Sequence, residues 1–170
     1  MKLTKKGWLV CFIALLITSA ASAQIEKGTV LAGASSNFAF NSTSQAHGSS
    51  TTTLNLDLRG GYFIINNLAL GIQVDYYQNW SSASSGSYGS TSVGLFGRYY
   101  YKGKIFGGLG ITEVSPYPSG GSYNLVPIQV GYAAFINKNI AIEPSLSLTE
   151  GNSQSVLGLN VGFTLYLHRK

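Results

Sequence analysis

Residues 157–167 read LGLNVGFTLYL, and their alternation is the clearest structural signal in the chain. Every second residue is aliphatic or aromatic, and the residues between them are small or polar. A period of two places side chains on alternate faces of a β-strand, whereas a helix requires a period near 3.6. The stretch therefore predicts a strand with an apolar face of Leu157, Leu159, Val161, Phe163, Leu165 and Leu167, opposite Gly158, Asn160, Gly162, Thr164, Tyr166 and His168.

The same alternation recurs in seven earlier segments, and no stretch carries apolar residues at helical spacing over three turns. The segments cover residues 29–41, 53–59, 68–77, 92–101, 105–112, 126–133 and 140–148. The sequence therefore predicts an all-β chain of eight strands.

The connections between these segments alternate in length. Short turns are predicted at residues 64–67, 102–104 and 137–139, where Asn and Gly tolerate positive φ. Longer loops rich in Ser, Gly and Thr are predicted at residues 41–52, 81–90, 115–122 and 150–155. This pattern favours an antiparallel up-and-down arrangement with short turns at one end and long loops at the other.

The first 23 residues, MKLTKKGWLVCFIALLITSAASA, have the organisation of a secretory signal peptide. A basic start is followed by an apolar run from Trp8 to Ile17 and a small-x-small cleavage site at residues 21–23. The apolar run is too short for a transmembrane helix, which needs about 20 residues. We predict a cleaved signal peptide at residues 1–23 and one β-barrel domain at residues 24–170.

Composition excludes several classes of protein. Charged residues make up 10% of the chain, against about 25% in soluble domains, while 45% of residues are hydrophobic. Without Lys2, Lys5 and Lys6 of the signal peptide the net charge falls to +2, which removes the basis for nucleic-acid binding. The single cysteine, Cys11, also lies in that segment, so the mature chain has no disulfides or Cys-rich metal sites.

The polarity of the two strand faces indicates which one is inside. The face opposite the aliphatic residues is mostly Gly, Ser, Thr, Asn and Gln, and carries too few charges for a water-exposed surface. We therefore expect a transmembrane barrel with its apolar face outward and a lumen charge network of Asp57, Arg59, Asp75, Arg98 and Glu143. The alternative is a soluble periplasmic ligand-binding barrel with its apolar face inward.

Aromatic residues cluster near the ends of the predicted strands, where the girdles of a membrane barrel lie. The predicted girdle consists of Phe38, Phe40, Tyr62, Tyr76, Trp80, Tyr99, Tyr101, Tyr123 and Tyr132. Phe63 and Phe135 are expected at the same end as Tyr62.

The signal peptide, the eight alternating segments, GYFI at 61–64 and FGGLG at 106–110 resemble small outer-membrane β-barrel proteins of Gram-negative bacteria. The resemblance is to the OmpX-like and OmpA-transmembrane-domain-like families. It implies a monomer in the outer membrane with short periplasmic turns and longer extracellular loops. It also implies adhesion, host interaction or a role in envelope integrity. The implied partners are outer-membrane lipid, lipopolysaccharide and the barrel-assembly machinery. The chain ends in His168-Arg169-Lys170 rather than in that family's terminal aromatic residue.

The sequence predicts no catalytic, cofactor-binding or metal site. His47 has Ser44, Ser49 and Ser50 nearby, but a Ser-rich loop supplies such neighbours by chance, and a triad needs a fixed third partner. The alternative function, which would need such a catalytic group, is a lipid-A-modifying enzyme. A His47–His168 metal pair is disfavoured because the two residues belong to opposite barrel ends.

Large side chains predicted in the lumen argue against a general porin. They are Arg59, Arg98, Phe96, Phe106, Tyr77 and Tyr100.

Overall fold

The computed structural model describes residues 24–36, 51–81, 87–151 and 154–167, and all their regular elements are β-strands. The strands are β1 (Val30–Ser36), β2 (Thr51–Ile65), β3 (Leu68–Ser81), β4 (Ser87–Tyr101), β5 (Ile105–Tyr117), β6 (Tyr123–Tyr132), β7 (Ala134–Phe135), β8 (Ile140–Gly151) and β9 (Gln154–Leu167). Nowhere in these ranges is there a helix with the length and apolar character needed to cross a membrane.

The strands form one closed antiparallel sheet. Each of β1 to β5 pairs with the strand that follows it, β8 pairs with β9, and β9 pairs with β1. Pairing of β6 with β8 closes the ring. The two-residue β7 continues β6 beyond Ala133 and also pairs with β8, so β6 and β7 form one interrupted barrel strand. The predicted eight-stranded up-and-down barrel is confirmed.

The alternation of side chains sorts apolar residues to the outside. Ile72, Leu95, Ile128 and Leu159 expose between 47% and 73% of their surface. Burying one such side chain away from water is worth about 1.5–3 kcal/mol, so contact of this exterior with water is unfavourable. The inner face carries the polar and small residues of the same strands. The prediction that the aliphatic face points outward is therefore confirmed for the described strands.

The short turns end the strands as the sequence predicts. Asn67 has a φ of 65° between β2 and β3, and Lys102 and Gly103 have φ values of 51° and 65° between β4 and β5. Asn and Gly adopt this left-handed conformation at low cost. The three short connections, which include residues 136–139, all lie at one end of the barrel, the short-turn end.

The predicted loop boundaries are wrong because the strands run further into the polar segments. β4 already begins at Ser87, β5 continues to Tyr117 and β8 continues to Gly151. Ser and Thr side chains continue the alternation, and the ladder needs only backbone donors and acceptors. Ser90 and Pro116, for example, are register partners inside the predicted loops. We call this opposite end the loop end.

Residues 24–29 close the short-turn end. The side chain of Ile25 is fully buried, and its backbone N–H donates to Asn67 Oδ1 at 2.9 Å. Asn67 N–H donates in return to the Ile25 carbonyl at 2.8 Å, and Gly28 N–H donates to the Phe63 carbonyl at 2.9 Å. These bonds hold the segment across the barrel bottom, with Ile25 under the aromatic core.

Several predictions fall on residues that lie outside the described ranges. These are the signal peptide at 1–23, the girdle residues Phe38 and Phe40, and both histidines, His47 and His168, with the serines Ser44, Ser49 and Ser50.

Candidate functional site in the barrel lumen

The short-turn half of the lumen contains a buried ion pair. Arg98 Nη1 donates to Glu143 Oε2 at 2.8 Å, and the two side chains are only 2% and 4% exposed. Two tyrosine hydroxyls complete the network. The Tyr166 hydroxyl donates to Glu143 Oε1 at 2.5 Å, and Arg98 Nη1 donates to Tyr100 Oη at 3.2 Å. Buried charges are tolerated when they are paired and hydrogen-bonded in this way.

Aromatic rings fill the remaining space around this pair. The Tyr100 ring lies 5.6 Å from Phe63 and 5.4 Å from Phe106 between centroids, and the Arg98 guanidinium lies 4.2 Å above the Phe106 ring. These are ordinary distances for aromatic and cation–π contacts. We call this group the plug, and it consists of Phe63, Arg98, Tyr100, Phe106, Glu143 and Tyr166.

Glycines make room for the large lumen side chains. A Cβ at Gly71 would overlap the carbonyl oxygen of Gly60 and lie 2.7 Å from Phe96 Cζ. A Cβ at Gly61 would lie 3.2 Å from the same Phe96 atom. The Phe96 ring therefore lies against a glycine pair of β2 and β3, since Gly61 and Gly71 are register partners.

A second ion pair lies above the plug, between Arg59 and Asp57. Gln129 joins the two pairs, because its Oε1 accepts from Arg59 Nη1 at 3.1 Å and from Arg98 Nη2 at 2.7 Å. Its Nε2 donates to Ser145 Oγ at 2.7 Å. The sequence places Gln129 on the polar face but gives no signal of this bridging role, which depends on three strands meeting across the lumen.

The loop-end half of the lumen contains a cavity of about 300 Å³, which we call the vestibule. Its wall carries three charged side chains, Asp57, Arg59 and Asp75. The other lining residues are Ser35, Asn55, Gln73, Tyr77, Ser90, Ser92, Thr112, Val114, Tyr123, Leu125, Pro127, Gln129, Ser147, Thr149 and Asn160. The volume is at the lower end for small-molecule pockets.

Asp75 differs from the other four predicted lumen charges. The two ion pairs found among the described residues join Asp57 with Arg59 and Glu143 with Arg98, and neither includes Asp75. The Asp75 carboxylate accepts from Gln73 Nε2 at 3.4 Å and is the direct register partner of Asp57. Thus five residues predicted from the sequence line one lumen, and one of its carboxylates faces the vestibule outside either pair.

Six of the predicted girdle residues lie near the two barrel ends. Tyr62, Tyr99 and Tyr101 are exposed at the short-turn end, and Tyr76 and Trp80 are exposed towards the loop end. Tyr132 is half-buried at the short-turn end.

Two aromatic residues lie inside the lumen instead of in a girdle. Tyr123 lines the vestibule, because Val126 and Ile128 take the outward positions of β6 and leave Tyr123 in phase with Gln129. Phe63 is fully buried in the plug, because its neighbour Tyr62 takes the outward position of β2.

Two carboxylates that the sequence reasoning did not assign lie on the outer face near the loop end. Glu113 is exposed and is the register partner of both Val93 and Asn124. Glu150 is exposed on β8 and accepts a hydrogen bond from Ser155 Oγ at 2.8 Å. Their positions follow from the alternation of β5 and β8, which extends beyond the predicted segments.

No three His, Cys, Asp or Glu side chains of the described ranges are grouped as a metal site. The described residues that line the lumen supply hydrogen-bonding groups, two ion pairs and one further carboxylate. It can therefore stabilise the barrel in its lower half and accept a small solute in its upper half.

Comparisons with known proteins identify the fold. No protein-family model matches the chain. No curated protein sequence matches it. The crystal structure of Neisserial surface protein A (NspA) is similar, with 16% identity over 81% of this chain and 95% of that chain and a TM-score of 0.50. The outer membrane protein OprG from Pseudomonas aeruginosa is 9% identical over 85% and 91% of the two chains, also with a TM-score of 0.50. The chain therefore has the fold of the small outer-membrane β-barrels, as its sequence resemblance implied.

Proposed function

We propose that this protein is an integral outer-membrane barrel with an obstructed lumen, acting at the cell surface through its loop end or in envelope integrity. In this proposal the short-turn end faces the periplasm and the loops face outward. Adhesion, host contact and envelope interaction are the activities open to such a protein, and general porin transport is not.

The apolar exterior carries the proposal. Large aliphatic side chains are exposed on the outer face of every long strand, including Leu56, Ile72, Leu95, Leu109 and Leu146. A soluble barrel would present this surface to water, at a cost of about 25 cal/mol for each Å². A tilted strand of 9–11 residues spans a bilayer, and β2, β3, β4 and β5 are longer than this. The exterior therefore fits lipid.

The closed ring also supports a membrane barrel. Each long strand is paired on both sides in at least part of its length, so the backbone donors and acceptors satisfy one another. In lipid this is required, because an unpaired backbone group costs several kcal/mol. The exposed carboxylates of Glu113 and Glu150 lie near the loop end, where the headgroups of lipopolysaccharide would lie in the proposed orientation.

The plug argues against a general porin. Arg98, Tyr100, Phe106 and Tyr166 are almost fully buried across the lower lumen, and Ile25 covers them from below. An eight-stranded barrel has an interior that side chains just fill. A solute that entered the vestibule would therefore meet a packed and hydrogen-bonded layer before it reached the short-turn end.

Fractionation tests the location and closure together. The full-length gene is expressed in a Gram-negative host, inner and outer membranes are separated, and the outer fraction is analysed by gel electrophoresis with and without boiling. We expect an outer-membrane band that shifts on heating. A soluble periplasmic protein without a heat shift would contradict the proposal and favour the ligand-binding alternative.

Single-channel recording tests the obstructed lumen. The purified protein is reconstituted in a planar bilayer, and Arg98→Ala with Glu143→Ala serves as the opened comparison. We expect no porin-sized conductance from the unmodified protein and a larger conductance from the double variant. Equal, large conductance from both proteins would show that the plug does not close the lumen.

A further inference from the structure

We propose that the vestibule binds small organic ammonium ions, with Asp75 and Ser92 as the groups that receive the ammonium N–H donors. The proposal goes beyond the cell-surface role above, since it assigns a ligand class to a cavity that this role does not use.

The charge of the vestibule wall favours a cation. Asp57 and Asp75 lie directly opposite each other on β2 and β3. Like charges in this arrangement are destabilising. Arg59 offsets Asp57 through their ion pair, which leaves the wall with a formal charge of −1 at Asp75. A bound ammonium group would supply the missing positive charge.

Ser92 provides a second, neutral acceptor beside this carboxylate. It is the register partner of Asp75 on β4, is only 7% exposed and lines the vestibule. Within the described residues no hydrogen bond to its hydroxyl is found, so the oxygen on the cavity wall is available to accept one from a ligand. An ammonium group has three N–H donors, so it can donate to both Asp75 and Ser92.

The adjoining wall is apolar, which favours an organic cation over a metal ion. Val114 is the register partner of Ser92, and the partner of Val114 on β6 is Tyr123. Leu125 and Pro127 continue this wall towards Gln129. A hydrated metal ion prefers oxygen ligands on all sides. An alkylammonium ion instead places its charged end at Asp75 and its hydrocarbon chain against Val114 and Leu125.

The geometry explains why Arg59 does not fill the same role. Its guanidinium is engaged by Asp57, by Gln129 Oε1 at 3.1 Å and by Ser35 Oγ at 3.4 Å. Among the described residues no ion pair joins Arg59 to Asp75. Arg59 therefore reduces the charge of the site without occupying it.

Titration by NMR tests the proposal. Folded, full mature protein is prepared in octyl glucoside, because this detergent carries no ammonium group, and n-propylammonium chloride is added. We expect saturable shifts of the Asp75 and Ser92 amide signals. n-Propanol has the same chain without charge, and tetramethylammonium has the charge without N–H donors. Each should bind at least about tenfold more weakly, a difference of about 1.4 kcal/mol.

Variants locate the site. Asp75→Asn should weaken propylammonium binding by at least about tenfold, and Ser92→Ala should weaken it severalfold. Glu113→Gln is the matched control, since it removes one carboxylate from the outer face, and it should leave binding unchanged. Arg59→Gln should strengthen binding, because it releases the Asp57 carboxylate. Each variant must first show the same heat shift on gels as the parent.

Three results would overturn the proposal. The first is propylammonium binding that survives both Asp75→Asn and Ser92→Ala. The second is equal binding of tetramethylammonium or n-propanol. The third is saturable binding of CaCl₂ at the Asp75 and Ser92 signals while propylammonium causes none. If Asp75→Asn fails to fold, Ser92→Ala and the ligand series still decide the matter.

Discussion

The two halves of the lumen are made by the same strands but differ in how their charges are satisfied. In the plug, the carboxylate of Glu143 is bound by Arg98 and by the Tyr166 hydroxyl, and the cavities that border Glu143 and Arg98 measure only about 10 and 30 Å³. In the vestibule, Asp75 stands outside both ion pairs beside a cavity of about 300 Å³. The plug therefore satisfies its charges internally, whereas the vestibule combines open space with a carboxylate outside both ion pairs.

A single strand can serve both halves. β4 contributes Arg98 and Tyr100 to the plug and Ser90 and Ser92 to the vestibule, all by the same alternation. Only the size and charge of the inward residues change along it. Changes at the lower positions should thus affect folding, and changes at the upper positions should affect the cavity.

The largest expected difference between the halves concerns their ion pairs. Glu143→Gln leaves Arg98 buried without its counter-charge and should lower the free energy of unfolding by about 3–5 kcal/mol. Asp57→Asn acts on a less buried pair, 10% and 21% exposed, and also removes the like-charge contact with Asp75, so it should cost less than Glu143→Gln. Urea unfolding in detergent, followed by loss of the heat-shifted band, measures both. Equal costs would remove the distinction between plug and vestibule.

An introduced arginine should cost different amounts of stability on the lumen face and on the outer face. Ile72→Arg places a guanidinium on the apolar outer face and should cost about 2–4 kcal/mol if that face meets lipid. Thr149→Arg directs the same group into the vestibule, where there is space and an unpaired carboxylate, and should cost less. Folding into liposomes at increasing urea gives both values. A larger cost for Thr149→Arg than for Ile72→Arg would reverse the assigned faces.

Two glycine substitutions compare a tightly packed position with an open one. Gly71→Ala would bring a methyl group against the Gly60 carbonyl and the Phe96 ring, and we expect a loss of about 1–3 kcal/mol. A Cβ at Gly107 meets no atom within 4 Å, so Gly107→Ala should be close to neutral. Thermal unfolding of the two variants under the same conditions makes the comparison. A neutral Gly71→Ala would show that Phe96 is not held against this glycine.

The smallest effect is expected for a single plug hydroxyl. Tyr166→Phe removes the donor to Glu143 Oε1 and should cost about 1–2 kcal/mol. Tyr99→Phe removes an exposed hydroxyl from the outside of the barrel and should change stability little. The denaturation midpoints of the two variants can be compared directly. If Tyr99→Phe proved the more damaging, the importance assigned to the buried network would be misplaced.

The fold was predictable because alternation is a local property of the chain. Leu54, Leu56 and Leu58 indicate an outward face without knowledge of their neighbours, and Asp57 and Arg59 are then necessarily inward. The turn at Asn67 follows equally from residue type, since its φ is positive. Such features need only a period and a propensity.

The remaining features depend on contacts between distant strands. Gln129 bridges Arg59 and Arg98 because β2, β4 and β6 face one another across the lumen, and no spacing in the sequence records this. The unpaired state of Asp75 depends on its register with Asp57. The position of Tyr123 near a strand end predicts a girdle residue, whereas the phase of β6 directs it inward.

Cysteine accessibility in intact cells tests whether the exterior faces lipid and the vestibule is open. The chain has one cysteine, Cys11, in the predicted signal peptide, so single cysteines can be introduced by Thr149→Cys, Leu95→Cys and Ala141→Cys. With a small membrane-impermeant thiol reagent, we predict labelling at position 149, protection by lipid at position 95, and labelling at position 141 only after unfolding. Labelling at 95 with protection at 149 would contradict the assignment of lipid-facing exterior and open vestibule.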